Sequence, residues 1–136
     1  MSEPREKEEL FDFIRGECIR RYDAPFVHDD KDGKRAFSMQ WFRKRGGRQA
    51  IVNIQEKDTN NLRVEFNKSA AEGMYEAVGG TDWIDVYLDS DIPKLRFARV
   101  SDSIFFGTCF RLDKVYHAGL DTTDMVLNLI WSLLMA

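Results

Sequence analysis

The apolar positions change period along the chain. Leu10, Phe11, Ile14, Cys18, Ile19 and Tyr22 recur at helical spacing, one stripe of a helix running from about Pro4 to Tyr22. Pro4 in its first turn and the acids Glu3, Glu6, Glu8 and Glu9 suit a helix start, where free N–H groups favour negative charge. Residues 23 to 33 show no period and are expected to be loop. From Ala36 the period is two: Phe37, Met39 and Trp41 alternate with Ser38, Gln40 and Phe42. The Gly46-Gly47 pair that follows supplies the positive φ of a tight hairpin. Ala50, Val52 and Ile54, then Leu62, Val64 and Phe66 after the D-T-N-N turn, continue the alternation into a meander with one apolar face.

The stretch Ser69 to Val78 reads as a short helix capped by Ser69 and ended by Gly79-Gly80, with Gly73 weakening its middle. Strands are expected at Trp83–Leu88, Lys94–Val100 and Ser103–Leu112, the last two joined by S-D-S, with Ile104, Phe106, Thr108, Phe110 and Leu112 on one face. Asp121 or Thr122 then caps a closing helix to Ala136. The predicted fold is α+β, order α-β-β-β-α-β-β-β-α. It is a two-layer sandwich of an antiparallel sheet of about five or six strands with the N- and C-terminal helices on one face.

In element order and size the chain is similar to the type III secretion chaperones and their chaperone-like relatives. That resemblance spans most of the chain without motif residues, and it implies a homodimer that binds an unfolded client segment.

A chain of 136 residues, 43% hydrophobic and 32% charged, fits one ordinary domain over 1–136. Its length suffices for a core without metal or disulfide staples. The net charge of −3 gives no global field for a polyanion, which disfavours dedicated DNA binding. The charge is uneven: residues 31–50 carry Lys31, Lys34, Arg35, Arg43, Lys44, Arg45 and Arg48 against Asp32, and residues 76–91 carry acids only. An acidic start and the lack of a long apolar run point away from a signal peptide or a membrane span, so a cytoplasmic protein is expected. Cys18 and Cys109 sit in apolar runs without a companion at metal or redox spacing and read as small buried hydrophobes.

No motif carries a specific reaction or cofactor, and none is expected. Asp30, Asp32 and Gly33 match part of a calcium loop, but His28 and Met39 fall where its first and twelfth ligands belong, so an acidic turn is the better reading. Asp85, Asp89 and Asp91 before Pro93 likewise read as a polar turn. A small hydrolase with His28 or His117 as base is the catalytic alternative, without a nucleophile elbow or paired metal histidines to support it.

Binding signals are stronger. Arg43, Arg45 and Arg48 around the hairpin turn would present donors to a nucleotide or other phosphorylated small ligand, or to an acidic peptide, with Arg63 nearby and Phe42 as a stacking ring. Charged hairpin tips also serve solubility alone. The outward face of the meander, with Gln40, Phe42, Asn53 and Arg63, is a polar platform for a protein or peptide partner. In the last helix Val126, Leu127, Leu129, Ile130, Trp131 and Leu134, with Met125 and Leu133, spread over roughly 240° of arc, more than one sheet contact covers. The surplus meets either the first helix or a second subunit, and the second choice makes these residues a homodimer interface. The sequence thus points to a non-catalytic, chaperone-like interaction module.

Overall fold

The computed structural model describes residues 7–22, 26–31, 34–43, 46–57, 61–72, 82–87, 95–111 and 122–135. Helix α1 (Lys7–Arg21) leads into strands β1 (Phe26–Lys31), β2 (Lys34–Phe42), β3 (Gln49–Glu56) and β4 (Asn61–Asn67). A short helix α2 (Lys68–Ala71), strands β5 (Trp83–Val86), β6 (Leu95–Arg99) and β7 (Phe105–Arg111), and helix α3 (Thr122–Met135) complete the order. The strands form one antiparallel sheet, β1-β2-β3-β4-β7-β6-β5, with the helices layered on it, so the α+β sandwich expected from the pattern is the fold.

Alternation decides which side chains go inward. Phe37 and Met39 of β2, Ala50, Val52 and Ile54 of β3, Leu62, Val64 and Phe66 of β4, and Phe106 and Phe110 of β7 are all buried. Phe11, Ile14 and Cys18 of α1 and Met125, Val126, Leu129, Ile130 and Leu133 of α3 close over them in one core. Phe11 meets Phe37 edge-on at 5.7 Å, the geometry that sets a positive ring edge against a negative ring face. Arg35 ties the same junction, its guanidinium 4.7 Å from the Phe11 ring and paired with Asp12 and Glu56.

Residues 26–31, expected to be loop, are instead the edge strand β1. Its register against β2 shifts twice, between Phe26 and Asp29 and again before Lys31, which erases the two-residue period that reveals a strand. An edge strand also tolerates the polar run His28–Lys31, because it needs only one partner. The β2–β3 hairpin is as expected, with Gly46 and Gly47 at φ 81° and 61° and Arg43 N–H donating to the Arg48 carbonyl at 3.0 Å. In the β6–β7 turn Asp102 adopts φ 53°, a conformation that Asp tolerates better than most side chains. Ile104, assigned inward from the pattern, precedes β7 and is exposed.

The cap of α2 is Asn67 rather than Ser69. Its Oδ1 accepts from Ala70 N–H at 3.1 Å and from Ile51 N–H at 3.1 Å, while Nδ2 donates to the Gln49 carbonyl at 2.8 Å. One amide therefore starts the helix and replaces the ladder bonds where β4 leaves β3, a task that requires both an acceptor and a donor. Residues 73–80, the rest of the expected helix and its glycine stop, lie outside the described residues.

The surplus apolar arc of α3 is taken up inside the chain. Val126, Leu127, Leu129 and Ile130, expected as interface, are core residues here, and Leu134 is partly buried against them. The first helix supplies the cover: Tyr22, just past α1, stacks on Trp131 at 5.8 Å, and its hydroxyl donates to the Leu127 carbonyl at 3.5 Å. Of the expected interface set only Trp131, 50% accessible, is exposed.

Two predictions follow from these placements. Asn67→Ala should cost about 2–3 kcal/mol in urea unfolding, because three hydrogen bonds lose a partner at a buried position; Asn67→Asp should fall between, keeping the acceptor and losing the donor. Leu129→Asp should destabilise by more than about 4 kcal/mol, whereas Trp131→Asp should cost about 1 kcal/mol, a contrast read directly from their thermal midpoints.

Candidate functional site

The described helices pack on one side of the sheet, and the other side carries the remaining alternate positions. Across β2, β3 and β4 that outer face holds Ser38, Gln40 and Phe42, then Ile51, Asn53 and Gln55, then Arg63 and Glu65. Of the residues expected to bind a partner, Gln40, Phe42, Asn53 and Arg63 share this surface. It is less open than a flat solvated sheet: Ser38 is 1% accessible and Ala36 is buried, while Phe42 stands 71% accessible at one corner.

Hydrogen bonding along this face is ordered. The Ser38 hydroxyl donates to Asn53 Oδ1 at 2.6 Å, fixing the amide so that its Nδ2 is left to donate. Gln49 Nε2 donates to Gln40 Oε1 at 2.9 Å, which leaves the Gln40 Nε2 in the same condition. Arg63 Nε lies 2.7 Å from Glu65 Oε1, both side chains half-buried, so their charges compensate within one strand. Farther along, Arg96 pairs with Asp85 at 2.9 Å and lies 5.2 Å over the Trp83 ring. The face therefore offers amide donors and aromatic surface with little net charge.

Gly107 of β7 sits at the middle of this surface, opposite Glu65 in register. A Cβ there would come 3.1 Å from Glu65 Cγ and 3.3 Å from Val100 Cγ2. The two neighbours thus close over a position that only glycine leaves vacant.

The basic hairpin is organised differently. Arg43, its side chain largely buried, reaches the helix layer, where its Nη1 donates to the Ser69 carbonyl at 3.3 Å and pairs with Glu72 Oε2 at 3.1 Å. Arg48, well exposed, approaches the other Glu72 oxygen at 3.4 Å. Arg45, expected beside them, lies outside the described residues, as does His117, and of His28 only the backbone, in β1, is described. The sequence pattern places the arginines at the hairpin turn as free donors; the structure sets Arg43 and Arg48 on Glu72, whose part in the corner no sequence period announced.

Cys109 is a correction. It was expected in the core, yet it is exposed on the outer face opposite Arg63. The alternation of Phe106 and Phe110 with Gly107, Cys109 and Arg111 carries the signal, since odd positions of β7 must face away from the buried phenylalanines. Cys18 does lie in the core, and burial pushes its thiol up to about 12. Burial likewise raises the Tyr22 phenol above its ordinary range.

Among the described residues no cluster of His, Cys, Asp and Glu is arranged to hold a metal ion, and no helix is long and apolar enough to cross a membrane. Comparison with family models, curated proteins and solved structures gives no match.

The two thiols supply a test. At pH 8 a maleimide should modify Cys109 in the folded protein and leave Cys18 untouched until denaturant is added, as peptide mass mapping would show. Because the folded Cys18 thiol ionises at about 12, above the ordinary value of 9.0, its contribution to stability is present below pH 9 and is lost as pH rises toward 12.

Proposed function

We propose that the chain is a non-catalytic binding module that receives a protein or peptide segment on the outer face of its sheet. The observation that supports this most is the set of amide donors at Gln40 and Asn53, held in place by bonds to their oxygens on the same face as the exposed Phe42 ring. Amide side chains match the donors and acceptors of an extended peptide backbone, and an exposed ring gives an anchor of the kind that dominates interface energetics. Ion pairing of Arg63 with Glu65 and of Arg96 with Asp85 removes the charge that would favour a polyanion there. A second subunit is not part of this reading, because Val126, Leu127, Leu129 and Ile130 of the apolar arc that suggested one are buried within the chain.

The test is a fluorescence-anisotropy screen of a panel of labelled extended peptides, followed by backbone NMR mapping of any that bind. Shifts should concentrate on Gln40, Phe42 and Asn53. Phe42→Asp, which alters a solvent-exposed ring, should leave the circular dichroism spectrum intact and weaken binding at least tenfold. Shifts confined to α1 and α3, or an affinity indifferent to Phe42→Asp, would sink the proposal.

A further inference from the structure

The corner where the β2–β3 hairpin meets α2 holds two arginines and a single carboxylate. Arg43 and Arg48 converge on the two oxygens of Glu72 at 3.1 Å and 3.4 Å. Convergence of two guanidinium groups on one planar anion is the arrangement by which proteins bind carboxylate and phosphate. Here the anion comes from the chain itself. We propose that this corner is a binding site for a small phosphate monoester, in which Glu72 is an internal ligand that the phosphate displaces.

Three observations carry the inference. Charge is the first: two guanidinium groups against one carboxylate leave a positive excess. A phosphate dianion would neutralise the fork where Glu72 does not. Access is the second: the Glu72 and Arg48 side chains keep 28% and 73% of their exposure, so the pair is in contact with solvent and within reach of a small anion. The third is Ser69, whose carbonyl accepts from Arg43 at this corner and whose own hydroxyl is buried without a hydrogen-bond partner. A buried hydroxyl without a partner is costly, and such groups in a folded protein call for an explanation. A residue already tied to the fork thus carries an unused donor that an incoming anion could take up.

Competition by an internal ligand lowers apparent affinity by the fraction of time that the site stands open. Titrations by isothermal calorimetry with inorganic phosphate and with adenosine monophosphate, each against chloride at equal ionic strength, test this. The wild-type chain should bind phosphate weakly and Glu72→Gln should bind it at least tenfold more tightly. Arg48→Gln, at an exposed position that leaves the Arg43 pair intact, should lose the binding in either background. Equal affinity for the two probes would mean that the phosphate group alone is recognised, and tighter binding of the nucleotide would mean that the ester's organic part adds contacts; both sustain the site. Heats indistinguishable from chloride in both the wild type and Glu72→Gln would overturn it. So would equal phosphate affinity in those two proteins, or binding that survives Arg48→Gln. Should Glu72→Gln fail to fold, Arg48→Gln in the wild-type background remains decisive, because retained phosphate binding there refutes the fork.

Discussion

The pairing of β4 with β7 is the constraint on which the rest of the structure depends. It runs in unbroken antiparallel register from Asn61 opposite Arg111 to Asn67 opposite Phe105 and joins β1–β4 to β5–β7. Without it each half would be an open sheet edge, a row of unpaired backbone groups that the core could not cover. The register also sets Phe66 opposite Phe106 and brings Phe66 to 4.5 Å from Phe97, so the seam is sealed by aromatic rings on its inner side. On its outer side Gly107 opposite Glu65 keeps the surface low enough for the two halves to meet.

Once the seam is made, the helices have one surface to cover. The inner face is apolar across β2, β3, β4 and β7, and α1 and α3 close over it in one core, sharing contacts through Tyr22, Trp131 and Leu127. The outer face is left to polar side chains that satisfy one another locally: Ser38 with Asn53, Gln40 with Gln49, Arg63 with Glu65. Partial burial makes the Ser38–Asn53 and Arg63–Glu65 bonds matter more than they would in water, because a group withdrawn from solvent costs free energy when its partner is lost. It also fixes which atoms remain available, and those atoms are mostly amide donors.

The candidate sites differ in how they show themselves. The sheet face was legible because a period of two assigns every second residue to one side, so Gln40, Phe42, Asn53 and Arg63 fall together whatever the strands pair with. The arginine corner was legible only by half. A cluster of basic residues at a glycine turn announces positive charge, but its partner Glu72 lies beyond two strands and the short helix α2, at a sequence separation where no local pattern operates. Cys109 has apolar neighbours in sequence that suggest burial, but alternation, the stronger constraint in a strand, turns it outward.

By itself the sequence determined the helical stripes of α1 and α3, the alternation of β2, β3, β4 and β7, the Gly46-Gly47 hairpin and hence the class of the fold. These depend on periods and turn conformations set within a few residues. The tertiary structure alone decided that β1 exists, since a shifted register against β2 hides its period. It decided that β4 meets β7, that Asn67 rather than Ser69 caps α2, and that the apolar excess of α3 is spent on α1 within the chain. Each of these is a choice among partners distant in sequence. Such choices are settled by which arrangement buries the apolar surface with every backbone group paired, a condition that no short stretch of residues contains.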